Sequence, residues 1–292
     1  MFNKAEELLQ QCKDKSKLIS EIVIEKEIKK EKTSYDKLME KMNETLDVMK
    51  TSASSALNSQ ITSVSGLTGG DAKKVEDYKK SGNSLSGDLI ISAMANSLST
   101  SEVNASMGRI IAAPTAGASG ILPASLLAAR DKLGLSDEEM VFGLFAAAGI
   151  GEIIAKNATI SGAEGGCQAE CGVAAAMGAA AIVEMSGGSP EQSVHAASFA
   201  LISVMGLVCD PVAGLVEYPC ALRNASGVVN ALASADLALA GVESLVPFDE
   251  VVDAMYEVGK AMPESLRETA LGGLAATPTG QCINRRLNID KK

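Results

Sequence analysis

Residues 171–183, CGVAAAMGAAAIV, carry no charge and little side-chain bulk. Such a stretch is well packed only if its neighbours come close, because methyl groups fill little space. It falls short of the about 20 apolar residues that span a bilayer, and so does AASFALISVMGLVC at 196–209. Both read as helices buried in a core. Composition agrees: 47% of the chain is hydrophobic but only 3% is aromatic, with no Trp. A β-sandwich would want more aromatic and β-branched residues, whereas 27 glycines and many alanines suit close helix packing. No run of alternating strands and no repeat of fixed period is present. The expectation is an all-α fold: a compact helical domain with Gly-rich loops at helix N-termini, preceded by a charged helical leader.

The leader occupies residues 4–50. Leu38, Met42, Leu46 and Met49 recur at helical spacing, which predicts an amphipathic helix packed by one stripe. Residues 51–70, rich in Ser, Thr and Gly, read as a loop. The expected division is therefore 1–70 for leader and loop and 71–292 for the main domain. In the latter, Ser136 and Glu139 form a capping box before Met140 and Val141, and Ser189, Pro190 and Gln192 mark a second helix start. PFDEVVDAMYEVGKAMP is a third helix bounded by prolines. Net charge is −10 without a basic stripe, so nucleic acid is not an expected partner. The opening MFNKAEELLQQCKDKSK has no apolar signal segment, and no membrane association is expected. Six cysteines then point to a cytoplasmic setting, where thiols that matter are metal ligands or nucleophiles rather than disulfides.

Three cysteines share a context. Cys167 follows Gly165-Gly166, Cys209 precedes Asp210-Pro211, and Cys220 follows Pro219. All three are predicted at helix starts, where unpaired N–H groups favour thiolate, the metal-binding form. Three converging thiolates can hold an iron–sulfur cluster by three corners, leaving one iron open as a Lewis acid. Free cysteines also serve as small buried hydrophobes, and the spacing alone leaves both readings standing. Cys171, one turn after Cys167, reads as packing, a neighbour or a spare ligand. Cys12 has no visible role.

The loop Pro114–Gly120 runs into a helix with Pro123 in its first turn. Its small residues let backbone N–H groups face an anion, although a tight helix corner uses the same residues. The single histidine, His195, reads as a core or boundary residue rather than a base.

Three motifs carry a resemblance: NASMGRIIAAPTAGASGILPA, NATISGAEGGCQAECGVAAAMGAAA and LGLVCDPVAGLVEYPCALRNA. Over roughly residues 80–280, in this order, they resemble the alpha subunit of the iron–sulfur-dependent bacterial L-serine dehydratases. The resemblance implies a PLP-independent lyase that converts L-serine to pyruvate and ammonia. It implies a 4Fe–4S cluster on Cys167, Cys209 and Cys220, with Cys171 left out. It also implies a separate beta subunit, whose equivalent domain is not recognised in the leader. Thr115, Ala116, Gly117 and Ser119 are then the candidates for the substrate carboxylate. Asn157, Ser161, Gln168 and Asn224 are candidate polar lining. No base is assigned; Glu164, Lys156 and the beta-subunit interface are open. A tail thiol, Cys282, is either passive or able to reach the open iron. The alternatives are a related lyase acting on L-cysteine or L-threonine, and a non-catalytic iron–sulfur or scaffold subunit.

Overall fold

The computed structural model describes residues 2–289, with side chains to Leu287. The leader folds as α1 (Ala5–Lys15), α2 (Ile19–Glu31) and α3 (Tyr35–Ser55). After a loop closed by an isolated Thr62–Gly69 bridge come α4 (Asp71–Lys80) and α5 (Gly87–Ala105). The remainder is α6 (Ile121–Leu133), α7 (Asp137–Asn157), the single turn α8 (Gly162–Gly165), α9 (Cys171–Met185) and α10 (Pro190–Ile202), then α11 (Cys220–Leu239), α12 (Phe248–Ala261) and α13 (Pro278–Ile289). Among the described residues there is no sheet, only two isolated bridges. None of these helices is long and apolar enough to cross a membrane.

The small-residue run became the centre. Every residue of α9 from Cys171 to Glu184 is buried, and α6, α7, α10 and α11 pack around it. Alanine gives this helix its propensity, and its short side chains let four neighbours approach. The capping boxes at Ser136 and Ser189 start α7 and α10 as expected.

The leader adds more than one helix to this core. Phe2, Leu8, Ile19, Ile22, Leu46 and Met49 are buried in the same cluster as α9. Within α3, Leu46 and Met49 are buried, with Leu38 and Met42 packed beside them, so the expected stripe is present. Two boundaries differ from expectation. α3 runs to Ser55 because Ser52 and Ala53 are buried, and the Ser99 hydroxyl donates to the Ser52 carbonyl at 2.8 Å. α9 begins at Cys171, not Cys167: Gly166 turns the chain at φ +75° and Cys167–Ala169 form a separate 3-10 turn.

Candidate thiol-lined site

Four chain segments meet at one end of α9. The first is the turn after α8, which carries Cys167. Gln168 pins it: its Oε1 accepts from Gly206 N at 2.8 Å and its Nε2 donates to the Met255 carbonyl at 2.9 Å. The second is the start of α9, where Cys171 Sγ lies 3.4 Å from Cys167 Sγ. The third is extended chain around Cys209, whose N–H donates to Leu266 O at 2.9 Å and whose carbonyl accepts from Glu268 N at 2.7 Å. The fourth is the first turn of α11, which opens at Cys220.

The helix-start expectation thus holds for Cys220 but not for Cys209 or Cys167. The Asp210 carboxylate ties the segments together. Arg223, one turn into α11, donates to Val208 O at 2.8 Å and to Asp210 Oδ1 at 2.7 Å. Asp210 Oδ2 accepts from Leu274 N at 2.7 Å. One ion pair therefore joins the Cys220 helix, the Cys209 segment and the chain after α12.

Glu170 enters between the thiols. Thr115 Oγ1 donates to its Oε1 at 2.7 Å, and its Oε2 lies 3.9 Å from Cys209 Sγ. Glu170, Cys209 and Glu268 bring ligand atoms within 4.8 Å of one another. Gly162 leaves room here: a Cβ would stand 2.5 Å from Glu170 Oε2 and 3.1 Å from Cys209 Sγ, so the carboxylate would have to move.

The electrostatics follow from burial and one cation. A hydrogen bond from Cys171, opposed by burial and helped by the Arg223 charge, holds the Cys167 thiol below its ordinary range. That bond and burial push Cys171 well up. Burial, then the Cys167 charge, pushes Cys220 up to about 12 and raises Cys209 as well. Burial raises Glu170 against the opposing Thr115 hydrogen bond. Of the four thiols only Cys167, with the Arg223 guanidinium near it, is shifted towards the thiolate, and the other three are shifted towards the protonated form. Soft sulfur donors of this kind suit iron–sulfur clusters or zinc, and a bound cation would reverse the upward shifts.

Of the candidate lining, Thr115 faces Glu170, and a Cβ on Gly117 would lie 3.3 Å from the same carboxylate. Ala116 and Ser119 close the turn, Ser119 Oγ donating to Ala116 O at 2.8 Å. Asn224, 1% exposed, anchors that turn: Nδ2 donates to Gly117 O at 2.6 Å and Cys220 O at 2.8 Å, and Oδ1 accepts from Gly120 N at 2.9 Å. Ser161 precedes α8 and accepts on its carbonyl from Gly165 N at 2.9 Å. Gln168 and Asn224 are thus clamps with both amide ends committed. Asn157 is not brought to the thiols; its amide donates to Asn3 O and Ile153 O.

Lys156 turns the same way, to Phe2 O at 3.0 Å and Glu152. Glu164 is exposed and accepts from Thr159 Oγ1 at 2.6 Å. His195 Nδ1 accepts from Ser244 N at 3.1 Å, a boundary role as expected. Cys12 is buried in α1, and Cys282 is exposed on α13 rather than on an irregular tail. Sequence reasoning missed Glu170, Arg223, Asp210 and Glu268. The available signal for Glu170 was its place between two cysteines at the head of an uncharged helix.

Fold and site together define an all-helical protein with a buried, thiol-rich centre assembled from distant segments and flanked by a carboxylate. Comparison with known proteins narrows this. The model of the serine dehydratase alpha chain family matches residues 14–275, and the chain belongs to that family. It is 55% identical over 285 residues to the L-serine dehydratase alpha chain of Peptoniphilus asaccharolyticus, covering 98% of both chains. It is 50% identical to the probable L-serine dehydratase alpha chain of Bacillus subtilis, over 98% of this chain and 95% of that one. L-serine dehydratase 1 of Escherichia coli is 46% identical over 61% of this chain, which covers 40% of that longer protein.

Proposed function

We propose that this chain is the alpha chain of an L-serine dehydratase that forms pyruvate and ammonia. It works with an iron–sulfur cluster on Cys167, Cys209 and Cys220 and with a separate beta chain. The observation that carries the reading is the convergence of these thiols, Cys167 and Cys209 buried and Cys220 half-buried, around Glu170 and the Gly-rich turn. The donor set fits the cluster: sulfur only, largely buried, with Arg223 offsetting negative charge. When bound through three cysteines, such a cluster supplies a Lewis-acidic iron that eases departure of the serine hydroxyl.

The chain's own residues do the rest. The Thr115–Gly120 turn, fixed by Asn224, receives the substrate carboxylate. Glu170, oriented by Thr115, takes the α-proton as the β-carbon–oxygen bond breaks. The resulting aminoacrylate tautomerises to an imine, which water hydrolyses to pyruvate and ammonia. Burial excludes bulk water and raises the basicity of Glu170. Support for the partner comes from the alpha-chain naming of the relatives and from exposed apolar residues, Val64 (74%) and Met107 (83%), beside the turn.

A second reading has its own observation. Cys171 lies 3.4 Å from Cys167, so a fourth thiol is at hand for a closed, non-catalytic site. The test is iron, acid-labile sulfide and product after anaerobic preparation with the beta chain. About four irons with matching sulfide and pyruvate from L-serine are expected, with iron lost in Cys209→Ala. Cys171→Ser retains iron and activity; loss of iron there favours the closed site. Glu170→Gln retains iron and drops kcat at least about 100-fold. Sulfide from L-cysteine or 2-oxobutyrate from L-threonine as the preferred product would replace the substrate. Absence of iron after anaerobic reconstitution would sink the cluster.

A further inference from the structure

Away from the thiols, Glu102 and Glu217 are buried carboxylates that form no ion pair among the described residues and border one cavity. Glu102, near the end of α5, is 4% exposed. Its Oε1 accepts from Asp71 N at 2.5 Å and Ala72 N at 3.0 Å, closing the start of α4. Its Oε2 is buried without any hydrogen-bond partner. Glu217 is 7% exposed and accepts from Ser65 Oγ at 2.7 Å and Thr68 Oγ1 at 2.8 Å. Both line one cavity of about 10 Å³, with Thr68, Asp71 and Ser101 in its wall. The nearby Lys74 is paired with Asp71.

We propose that this cavity binds a single dehydrated hard cation between Glu102 and Glu217. Like charges buried together are costly unless compensated. The polar side chains of the wall offer oxygen only, which suits alkali and alkaline-earth ions and not soft metals. A volume of about 10 Å³ holds one water-sized sphere, which excludes magnesium with its retained waters. The ion would join α5, the start of α4 and the Ser-rich loop to the segment just before Cys220. It therefore fixes one wall of the thiol site from behind, and it stands whether or not the dehydratase reading holds.

The test uses the full-length chain in tetramethylammonium chloride at constant ionic strength, with KCl, NaCl or CaCl2 titrated in. Thermal midpoints should rise saturably with at least one of the three, as expected for a ligand of the native state. Equilibrium dialysis should give one ion per chain. The responding ion tells a monovalent site from a calcium site. Glu217→Gln and Glu102→Gln, which keep an acceptor oxygen, should each lose the rise. A wild-type midpoint that ignores all three salts overturns the proposal. So does an equal rise with MgCl2, or a rise that persists in both variants. If neither variant folds, the wild-type titration and stoichiometry still decide.

Discussion

Arg223 holds two thiol-bearing segments against each other, and its environment sets what its loss would do. Its side chain is 16% exposed and that of Asp210 only 4%. Removing the guanidinium leaves Asp210 buried with one remaining donor, Leu274 N. Arg223→Ala should therefore cost about 3–5 kcal/mol in urea unfolding and lower iron retention. Arg223→Lys keeps the charge but not the planar fork, so it should recover part of both. An alanine variant as stable as wild type would mean that the pair joins nothing. The same residue shows what was legible. Cys167, Cys209 and Cys220 lie in recognisable stretches of sequence. Arg223 and Glu170 do not, because their roles depend on Val208, Asp210 and Thr115, residues that only folding brings near. Asn157 misled for the opposite reason: it neighbours a motif in sequence, but the end of α7 points it at Asn3.

Among the elements, starts with local caps were readable and starts with distant caps were not. Ser136 and Ser189 cap their own helices. α1, α2 and α4 have no capping side chain at the N-cap residue. Carboxylates from other helices reach them instead. Asp249 takes Ala5 N at 2.9 Å, Glu184 takes Ile19 N at 2.9 Å, and Glu102 takes the first N–H groups of α4. A carboxylate suits the positive end of a helix dipole, yet no pattern in the leader announces one from another helix. The Glu184 cap has a pH signature. Burial raises its pKa above the ordinary 4.5, against the opposing Ser20 and Ile19 hydrogen bonds. The folded state thus holds the proton more tightly than the unfolded chain, so wild-type stability grows as pH falls from the raised pKa towards 4.5 and levels off below it. A Glu184→Gln variant lacks this titration. The wild-type advantage over it, from urea midpoints at several pH values, should therefore widen on acidification across that window. An advantage that narrows would show that the N–H groups outweigh burial.

For the whole molecule, the helical class was legible because a helix as slight as α9 can be packed only by close helical neighbours. How far the leader enters the core was not, since α1–α3 carry charged faces and show few apolar positions each. Their buried residues nonetheless sit in one cluster with α9. With the leader in the core, the apolar surface left over becomes informative. Val64, Met107, Leu215 and Val216 line a cavity of about 580 Å³ that also borders Ala116 of the Gly-rich turn. Met107 and Val64 leave apolar side chains open to water beside the site, and a partner would cover them. The beta chain of the proposed enzyme is the fitting occupant, because this face adjoins the turn proposed to hold the substrate carboxylate. Met107→Glu places a charge where that contact would exclude water. It should lower pyruvate formation by the two-chain mixture at least about tenfold and weaken co-purification of the two chains. Iron content and thermal midpoint of the alpha chain alone should stay unchanged, because Met107 lies outside the core. A fall in iron would instead make Met107 a support of the site. Unchanged activity and co-purification would put the partner on another face.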